Sequence, residues 1–365
     1  MSTPTSQRTR LGPSVFRLPV ERIRSGYYSD AYFNYTKELL EERGDCPSVT
    51  MQVFQKEQSI LGGVDEAIAV LKECSGREGE DGWEDGWEEL AVHALHEGDE
   101  IEPYETVMTI EGRYHLFAHL ETVYLGCLAR RSLVMRNVRA VVEAAAGKPI
   151  LFFPARHDHW LVQTGDGWAA HVAGAIGVST DAQASWWGGR GVGTVPHSLI
   201  AAFGGDTVAA AAAFADRYAN EMNVTVLVDF HNDSVREAVA VADALGDRLW
   251  GVRLDTSDKL VDRALRDDMG YFKPTGVNEE LVRRVRSALD DAGHPNVKIV
   301  CSGGFTAERI REFEAKGVPA DSYGVGSSLL RGSNDFTADV VLLEGRPCAK
   351  TGREYRPNPR LERVV

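Results

Sequence analysis

From about residue 130 onward, short runs of apolar and β-branched residues alternate with longer segments of helical periodicity. The runs cover residues 149–155, 175–180, 191–195, 224–230, 249–255, 297–302 and 323–328. Near-continuous apolar strands that alternate with helices are typical of a parallel sheet covered on both faces. Seven such units predict a closed or nearly closed α/β barrel.

The first 130 residues carry a different pattern, in which amphipathic and alternating segments are mixed. This pattern predicts two helices, a strand and a strand pair, within residues 30–44, 62–74, 48–57 and 98–117 respectively. The acidic, glycine-rich stretch 76–90 is predicted to be a solvated loop that enters a helix. We expect residues 12–130 to form a unit separate from the barrel.

Composition narrows the classes of protein and of partner. The formal net charge of −14 disfavours nucleic acid and anionic membranes as partners. Five scattered cysteines without a CxxC spacing indicate a reducing cytoplasm, with neither a disulfide framework nor a zinc site. No apolar stretch is long enough to span a membrane, and the first ten residues lack the apolar core of a secretory signal. A cytoplasmic enzyme fits these features.

Polar residues and glycines follow all seven runs, where an α/β barrel gathers its active site. They are Arg156, His157, His159, Ser179, Thr180, Asp181, His197, Ser198, Asp229, His231, Asp233, Arg253, Asp255, Thr256, Ser302, Gly303, Gly304, Gly326, Ser327 and Ser328. Such a set predicts a functional cluster, although loops are polar in general. Asp233 precedes a helical stretch and is predicted to cap it.

The last two strand ends are rich in glycine. Ser302, Gly303 and Gly304 precede one predicted helix, and Gly326 and Ser327 follow the final run. Glycine lets the backbone approach an anion closely, and helix N-terminal N–H groups supply donors. Two ordinary strand-to-helix turns are the alternative to a phosphate cradle.

Three further strand-end residues have alternative interpretations. Arg253 and Asp255 lie on one side of a strand because side chains alternate, so they form either a structural ion pair or a substrate-binding pair. His197 follows Pro196 at a strand-to-helix corner, where a single histidine is more often structural. In a barrel that closes on a phosphate cradle, however, this histidine stands at the rim where the strand ends meet.

Five motifs in this order resemble the nicotinate phosphoribosyltransferase family, and its shorter, archaeal-type branch above all. In chain order they are FPARHDH, GVGTVPHSLIAAFGGDT, GVRLDT, CSGGF and GVGSSL. The resemblance runs from about residue 20 to 332. It implies an α/β fold: an irregular seven-stranded α/β barrel in residues 131–332 with an α/β sandwich domain. Residues 12–130 and the returning segment 333–365 would build that sandwich.

The resemblance also implies a reaction. Nicotinate and phosphoribosyl pyrophosphate would give nicotinate mononucleotide and pyrophosphate, coupled to ATP hydrolysis and assisted by Mg²⁺. Members of the family are dimers or larger homo-oligomers with shared active sites. Because only Cys348 stands where archaeal-type members often carry a zinc-binding cysteine cluster, no residue is assigned to a metal.

The family's functional residues match positions in this chain. The residues that correspond to the 5′-phosphate cradle are Ser302, Gly303, Gly304, Gly326 and Ser327. Asp255 corresponds to the carboxylate near the ribose, and Arg253 and Arg156 correspond to the groups around the pyridine carboxylate. Tyr32 corresponds to a ring from a partner subunit, Lys56 to a cation near pyrophosphate, and His197 to the histidine that accepts phosphate from ATP. In GVSTD, Ser179 stands where nicotinamide-using relatives place the aspartate of Gly-Thr-Asp-Thr, and Thr180 follows it. Serine does not repel a carboxylate, which favours nicotinate, although Asp181 lies close by.

Three other interpretations stay open. Quinolinate or nicotinamide phosphoribosyltransferases share the fold, but the GTVPHS histidine argues against quinolinate. A TIM-like phosphosugar enzyme would share only the phosphate cradle, and no lysine ends any of the seven runs. A non-catalytic nucleotide-binding or protein-binding barrel would not need Arg253, Asp255 and His197 together.

Overall fold

The computed structural model describes residues 9–44 and 46–365. Residues 1–8, where no secretory signal is expected, lie outside the described residues. The helices are α1 Val20–Arg24, α2 Ala31–Arg43, α3 Val64–Cys74, α4 Glu121–Ala144, α5 Gln163–Val172, α6 Asp181–Ala184, α7 His197–Ala202, α8 Thr207–Tyr218, α9 Ser234–Leu245, α10 Glu279–Asp291 and α11 Ala307–Ala315. The strands are β1 Ser48–Phe54, β2 Ser59–Ile60, β3 Gly76–Gly79, β4 Gly82–Asp85, β5 Ala91–Ala94, β6 Glu100–Ile101, β7 Thr106–Arg113, β8 Ile150–Phe152, β9 Gly177–Val178, β10 Thr225–Leu227, β11 Gly251–Leu254, β12 Lys298–Cys301, β13 Ser322–Val325, β14 Thr337–Leu343, β15 Arg346–Pro347 and β16 Glu362–Arg363.

The chain divides into two compact units. One runs up to Arg136 and includes Gly332–Val365, and the other is Asn137–Arg331. In the described part of the chain no helix is both long and apolar enough to cross a bilayer.

The first unit is built on an antiparallel sheet in the order β15-β14-β1-β7-β5-β16. Strand β1 lies between β14 and β7, so that Met51 pairs with Val340 on one side and Ile110 on the other. All but its first residue are buried, because both edges are paired and the apolar side chains pack with those of α3 and α4. The predicted helices within 30–44 and 62–74 and the strand within 48–57 are confirmed.

The acidic stretch 76–90 is a β-hairpin, so the predicted loop entering a helix is wrong. Strands β3 and β4 pair antiparallel, and only a single 3₁₀ turn, Trp87–Glu89, follows. Gly76 explains the pairing: its φ is +140°, and a Cβ there would lie 2.2 Å from the backbone oxygen of Glu84. Glycine therefore brings the two strands together in a segment whose charges suggest an open loop.

The second unit is a curled parallel sheet in the order β10-β11-β12-β13-β8-β9. The predicted third run, 191–195, forms no regular ladder: Val195 makes a single parallel bridge to Val226, and Pro196 after it has no N–H with which to continue the pairing. Gly191 permits a close approach to the chain at Thr180, since a Cβ there would lie 2.7 Å from the Thr180 carbonyl carbon. The run 191–195 still bonds to both edges of the sheet. Its N–H groups at Val192 and Val195 donate to the Val178 and Thr225 oxygens at 2.7 and 2.8 Å. These bonds close the irregular seven-stranded α/β barrel that the sequence predicts.

The cap of α9 differs from the prediction. Asp233 stands at the N-cap position but makes no side-chain cap hydrogen bond, and its carboxylate pairs instead with Arg236 at 3.0 Å and Arg263 at 3.7 Å. The cap comes from Asp262, whose Oδ2 accepts from the N–H and hydroxyl of Ser234 at 2.9 and 2.8 Å. Asp262, which is distant in sequence, therefore caps α9 in place of Asp233.

Candidate active site

Four polar side chains form one network at the carboxyl ends of β11 and β12. Arg253 donates through Nε to Ser302 Oγ at 2.8 Å and through Nη1 to Thr194 Oγ1 at 3.4 Å, and its Nη2 lies 3.5 Å from Asp255 Oδ2. The parallel register explains the geometry: Leu254 pairs with Cys301, so Asp255 and Ser302 follow side by side. The predicted Arg253–Asp255 pair is therefore one part of a larger cluster.

Ser302 is buried at the centre of this network. Its hydroxyl accepts from Arg253 and lies 2.8 Å from Asp255 Oδ1 and 2.9 Å from the Leu254 oxygen, either of which can take its single proton. The Ser302 N–H donates to the Leu254 oxygen at 2.9 Å. Ser302 thus holds Arg253 and Asp255 in place, while the glycines after it remain the candidates for phosphate contact.

The glycine turn after Ser302 has a left-handed backbone, with φ of +84° at Gly303 and +74° at Gly304. Arg309 supports it from α11: its Nη1 donates to the Gly303 oxygen at 3.1 Å, and its guanidinium lies 4.5 Å from the centroid of the Phe305 ring. Burial lowers the pKa of Arg309. Among the described residues, neither glycine N–H has a hydrogen-bond acceptor. Both N–H groups are therefore available to an anion.

A second turn, after β13, joins the first. Ser328 Oγ donates to the Phe305 oxygen at 2.8 Å. A Cβ on Gly326 would lie 2.9 Å from His157 Cε1, so glycine at this position admits the His157 ring. Ser327 begins the single 3₁₀ turn that follows Gly326. The ends of β12, β13 and β8 meet here, with Arg156 exposed beside His157.

His197, which follows the irregular segment 191–195, is hydrogen-bonded to Asp229. Its Nε2 lies 2.9 Å from Asp229 Oδ1, and the side chains are 43% and 7% exposed respectively. The hydrogen bond that His197 donates to Asp229 raises the pKa of His197, against the opposing effect of burial; the Asp255 charge raises that pKa and the Arg253 charge lowers it. Because a carboxylate only accepts, the neutral ring carries its proton on Nε2 and a lone pair on Nδ1.

The sequence presents Asp229 only as one polar strand end among many. Its pairing with His197 follows from the position of segment 191–195 beside β10. The sequence marks Asp229 only by its position directly after the apolar part of the 224–230 run.

Ser179 and Thr180 are engaged within the protein. Ser179 donates its hydroxyl and N–H to Gln183 Oε1 at 3.1 and 3.0 Å, and the Thr180 hydroxyl donates to Gln163 Oε1 at 2.9 Å. Asp181 Oδ1 accepts from the Gly191 N–H at 2.9 Å. These contacts shape the end of β9, and substrate contacts by Ser179 and Thr180 stay a prediction.

Tyr32 and Lys56 belong to the first unit. Tyr32 lies on α2 with 59% of its surface exposed, and its ring centroid is 4.3 Å from that of Phe33. Lys56 Nζ lies 3.8 Å from Asp335 Oδ2 on a solvated surface. Their predicted roles at the pyridine ring and at pyrophosphate stay predictions.

Comparison with known proteins adds to this geometry. Residues 30–132 match the family described as "Quinolinate phosphoribosyl transferase, N-terminal domain". The nicotinate phosphoribosyltransferase pncB1 of Mycobacterium tuberculosis is 30% identical over 277 residues, which are 73% of this chain and 57% of that protein. The chain therefore matches little more than half the length of this curated relative.

Two solved structures resemble most of the chain. The nicotinate-nucleotide pyrophosphorylase from Pyrococcus furiosus is 31% identical, with a TM-score of 0.77 over 95% of this chain and 86% of that one. Human nicotinic acid phosphoribosyltransferase has a TM-score of 0.64 at 17% identity, over 90% of this chain and 77% of that one, and it shows the shared fold.

Proposed function

The chain belongs to the type II phosphoribosyltransferase family, which includes the nicotinate phosphoribosyltransferases, and we propose on that premise that it joins nicotinate to phosphoribosyl pyrophosphate. The products are nicotinate mononucleotide and pyrophosphate, and the reaction is coupled to ATP hydrolysis. The observation that carries this proposal is the His197–Asp229 pair beside the Arg253–Asp255–Ser302 network. Such a pair suits phosphoryl transfer from ATP, and the network suits an anionic ring with a ribose.

The arginine network supports binding of the pyridine carboxylate. A guanidinium has five N–H donors, and the contacts of Arg253 to Ser302, Thr194 and Asp255 engage three of them at most. The remaining donors, together with exposed Arg156, can form the planar contacts that arginine makes with carboxylates. The Arg253 guanidinium lies 5.1 Å from the centroid of the Phe153 ring, which limits its rotation. Positioning is what a weakly activated pyridine nitrogen most needs.

The ribose and its leaving group require different chemistry. Displacement of pyrophosphate from the anomeric carbon develops positive charge on the ribose, which a carboxylate stabilises. Asp255 is 24% exposed and lies against Gly303, so its carboxylate is accessible beside the glycine turn. This position suits contact with a ribose whose 5′-phosphate binds that turn. The hard oxygens of Asp255 fit Mg²⁺, which would neutralise pyrophosphate charge when bound. Within the described residues no three His, Cys, Asp or Glu side chains gather as a metal site, so substrate oxygens would complete the coordination.

ATP coupling is assigned to His197. The Nδ1 lone pair attacks the γ-phosphorus of ATP; the new N–P bond forms as the bond to the ADP oxygen breaks. Asp229 accepts the Nε2–H throughout and stabilises the positive charge that the ring acquires. Water later cleaves the N–P bond, which releases phosphate and restores His197.

Quinolinate is the second candidate substrate, since the matched N-terminal family bears that name. The seven strand ends offer arginines at 156 and 253 but no lysine, which is a small cationic set for a ring with two carboxylates. The His197–Asp229 pair, which quinolinate chemistry does not need, favours nicotinate.

One assay separates the candidates. The protein is incubated with phosphoribosyl pyrophosphate, Mg²⁺ and nicotinate, nicotinamide or quinolinate, with and without ATP, and the mononucleotide is measured. We expect product from nicotinate, made faster with ATP. Product from quinolinate alone, with release of CO₂, would contradict the proposal, and product from nicotinamide alone would reassign the ring substrate.

A further inference from the structure

A second histidine–carboxylate pair lies two residues beyond Asp229. His231 Nδ1 is hydrogen-bonded to Glu237 Oε1, and Glu237 Oε2 accepts from Thr207 Oγ1 at 2.8 Å. Glu237 is buried, with 7% of its side chain exposed, whereas the His231 side chain is 42% exposed. A buried carboxylate thus holds an accessible imidazole ring in a defined orientation.

The Glu237 contacts join three segments near His197. His231 follows β10, Glu237 lies on α9, and Thr207 is the first residue of α8. Helix α7, which begins at His197, leads into α8 through a turn containing Gly205, at φ +87°. The same carboxylate therefore ties the His197 segment to the loop that carries His231.

The two histidines share a neighbour. The Phe230 ring lies 6.3 Å from the His197 ring and 5.0 Å from the His231 ring, between centroids. Phe230 is therefore a common neighbour of both rings. A Cβ on Gly205 would lie 3.4 Å from His231 Nε2, so the Gly205 backbone lies beside this nitrogen. A phosphoryl group on His197 with one hydrogen-bonded water extends roughly 6 Å, from ordinary bond and hydrogen-bond lengths, and this water is the link to His231 that the step below requires.

The tautomers of the two rings are complementary. Both Glu237 oxygens accept, one from Thr207 and one from His231, so the His231 proton resides on Nδ1 and the lone pair on Nε2. His197 has the opposite arrangement, with its proton on Nε2 facing Asp229. One ring therefore offers Nδ1 as a nucleophile, and the other offers Nε2 as a base.

We propose that His231 is the general base that hydrolyses phosphorylated His197, with Glu237 as its positioning residue. His231 Nε2 takes a proton from water as the water oxygen bonds to phosphorus; the N–P bond to His197 breaks, and its electron pair returns to Nδ1. The products are inorganic phosphate and free His197, and the proton on His231 passes to solvent. This role rests on the proposed function, because it requires a phosphorylated enzyme.

The test follows the lifetime of the phosphorylated enzyme. The full-length protein is incubated with γ-³²P-ATP and Mg²⁺, freed of nucleotide by rapid desalting, and the acid-labile label is followed over time. We expect the label on His231→Ala and His231→Gln to decay about 100-fold more slowly than on the wild type, the range typical of a lost general base. Decay should slow more than formation. Glu237→Gln, which keeps a hydrogen-bond acceptor, should give an intermediate rate.

His294 supplies the matched control, since it forms an exposed pair with Asp243 at 2.8 Å on the amino-terminal side of β12. His294→Ala should lose label at the wild-type rate. Wild-type decay in His231→Ala, or restored decay in His231→Gln, would overturn the role of His231 while leaving the proposed function intact. A wild-type enzyme that never acquires label from ATP would overturn both.

Discussion

The substitution Asp229→Asn isolates what a buried carboxylate contributes to His197. Asparagine has nearly the same shape, so the 2.9 Å contact to Nε2 can persist while the negative charge is lost. An asparagine amide can also donate to Nε2, which would move the ring proton to Nδ1 and remove the nucleophilic lone pair. The variant therefore changes both the charge and the tautomer of the phosphate acceptor.

The magnitudes follow from burial. A hydrogen bond to a charged group contributes about 1.5–3 kcal/mol, and exposure of 43% of the histidine side chain reduces this to about 1 kcal/mol of stability. Because Asp229 raises the pKa of His197 in the folded protein, this stabilisation is complete below the ordinary histidine pKa of 6.5 and disappears as the pH rises through the raised value. Loss of the correct tautomer lowers catalytic rates by about 10⁴-fold in the comparable serine-protease case, and we expect a loss on the order of 10²–10⁴-fold in phosphorylation.

Two measurements check these values. Thermal unfolding of wild type and Asp229→Asn should differ at pH 5.5 and converge near pH 9. The rate of phosphorylation by ATP, measured against pH, should fall overall, and its acidic limb should move to lower pH because the asparagine no longer raises the pKa of His197. Asp243→Asn, which alters the exposed His294 pair, is the control and should change neither profile. An acidic limb that stays at the wild-type pH would refute the coupling of Asp229 to His197.

Three further predictions concern other parts of the chain. Gly303→Ala places a Cβ on a residue with φ +84°, at 3.4 Å from Asp255 Oδ1. The variant should lose about 1–2 kcal/mol of stability, and its KM for phosphoribosyl pyrophosphate should rise at least tenfold. Unchanged kinetics would show that this turn does not bind the phosphate. Arg309→Met should raise the same KM more than it lowers kcat, because Arg309 donates to the Gly303 oxygen. Arg309→Lys should have a KM between those of the wild type and Arg309→Met. Equal KM values for the two variants would contradict the role of Arg309 in supporting the turn. Glu97 has a pKa raised to about 8, first by burial and then by Asp65. The folded state therefore holds an extra proton between pH 4.5 and 8, and the free energy of unfolding falls as the pH rises through that range. Glu97→Gln should weaken this dependence in thermal melts from pH 5 to 9, and a dependence equal to that of the wild type would exclude Glu97 as its source.

Local pattern was a good guide to the barrel strands. Apolar runs of β-branched residues mark strands wherever both faces are covered, and six of the seven runs contain the strands of the parallel sheet. The run 191–195 is the exception, because Pro196 has no N–H to continue a regular ladder, although the segment still bonds to β9 and β10. The hairpin at 76–85 was missed for a related reason: its charges suggest a loop, and the close approach at Gly76 has no local signature.

The candidate site divides in the same way. The sequence determined which residue types stand at the strand ends, since a strand end is a local feature, and the order of those motifs indicated the family. Only the tertiary structure decided which side chains meet. His197 pairs with Asp229, Ser302 holds both Arg253 and Asp255, and Glu237 links Thr207 to His231. The Ser302 contacts depend on the register of the parallel strands, and the Glu237 contacts depend on a helix packed beside them. Hydrophobic periodicity reports which face of a segment is buried, and it carries no information about which distant segment will lie beside it.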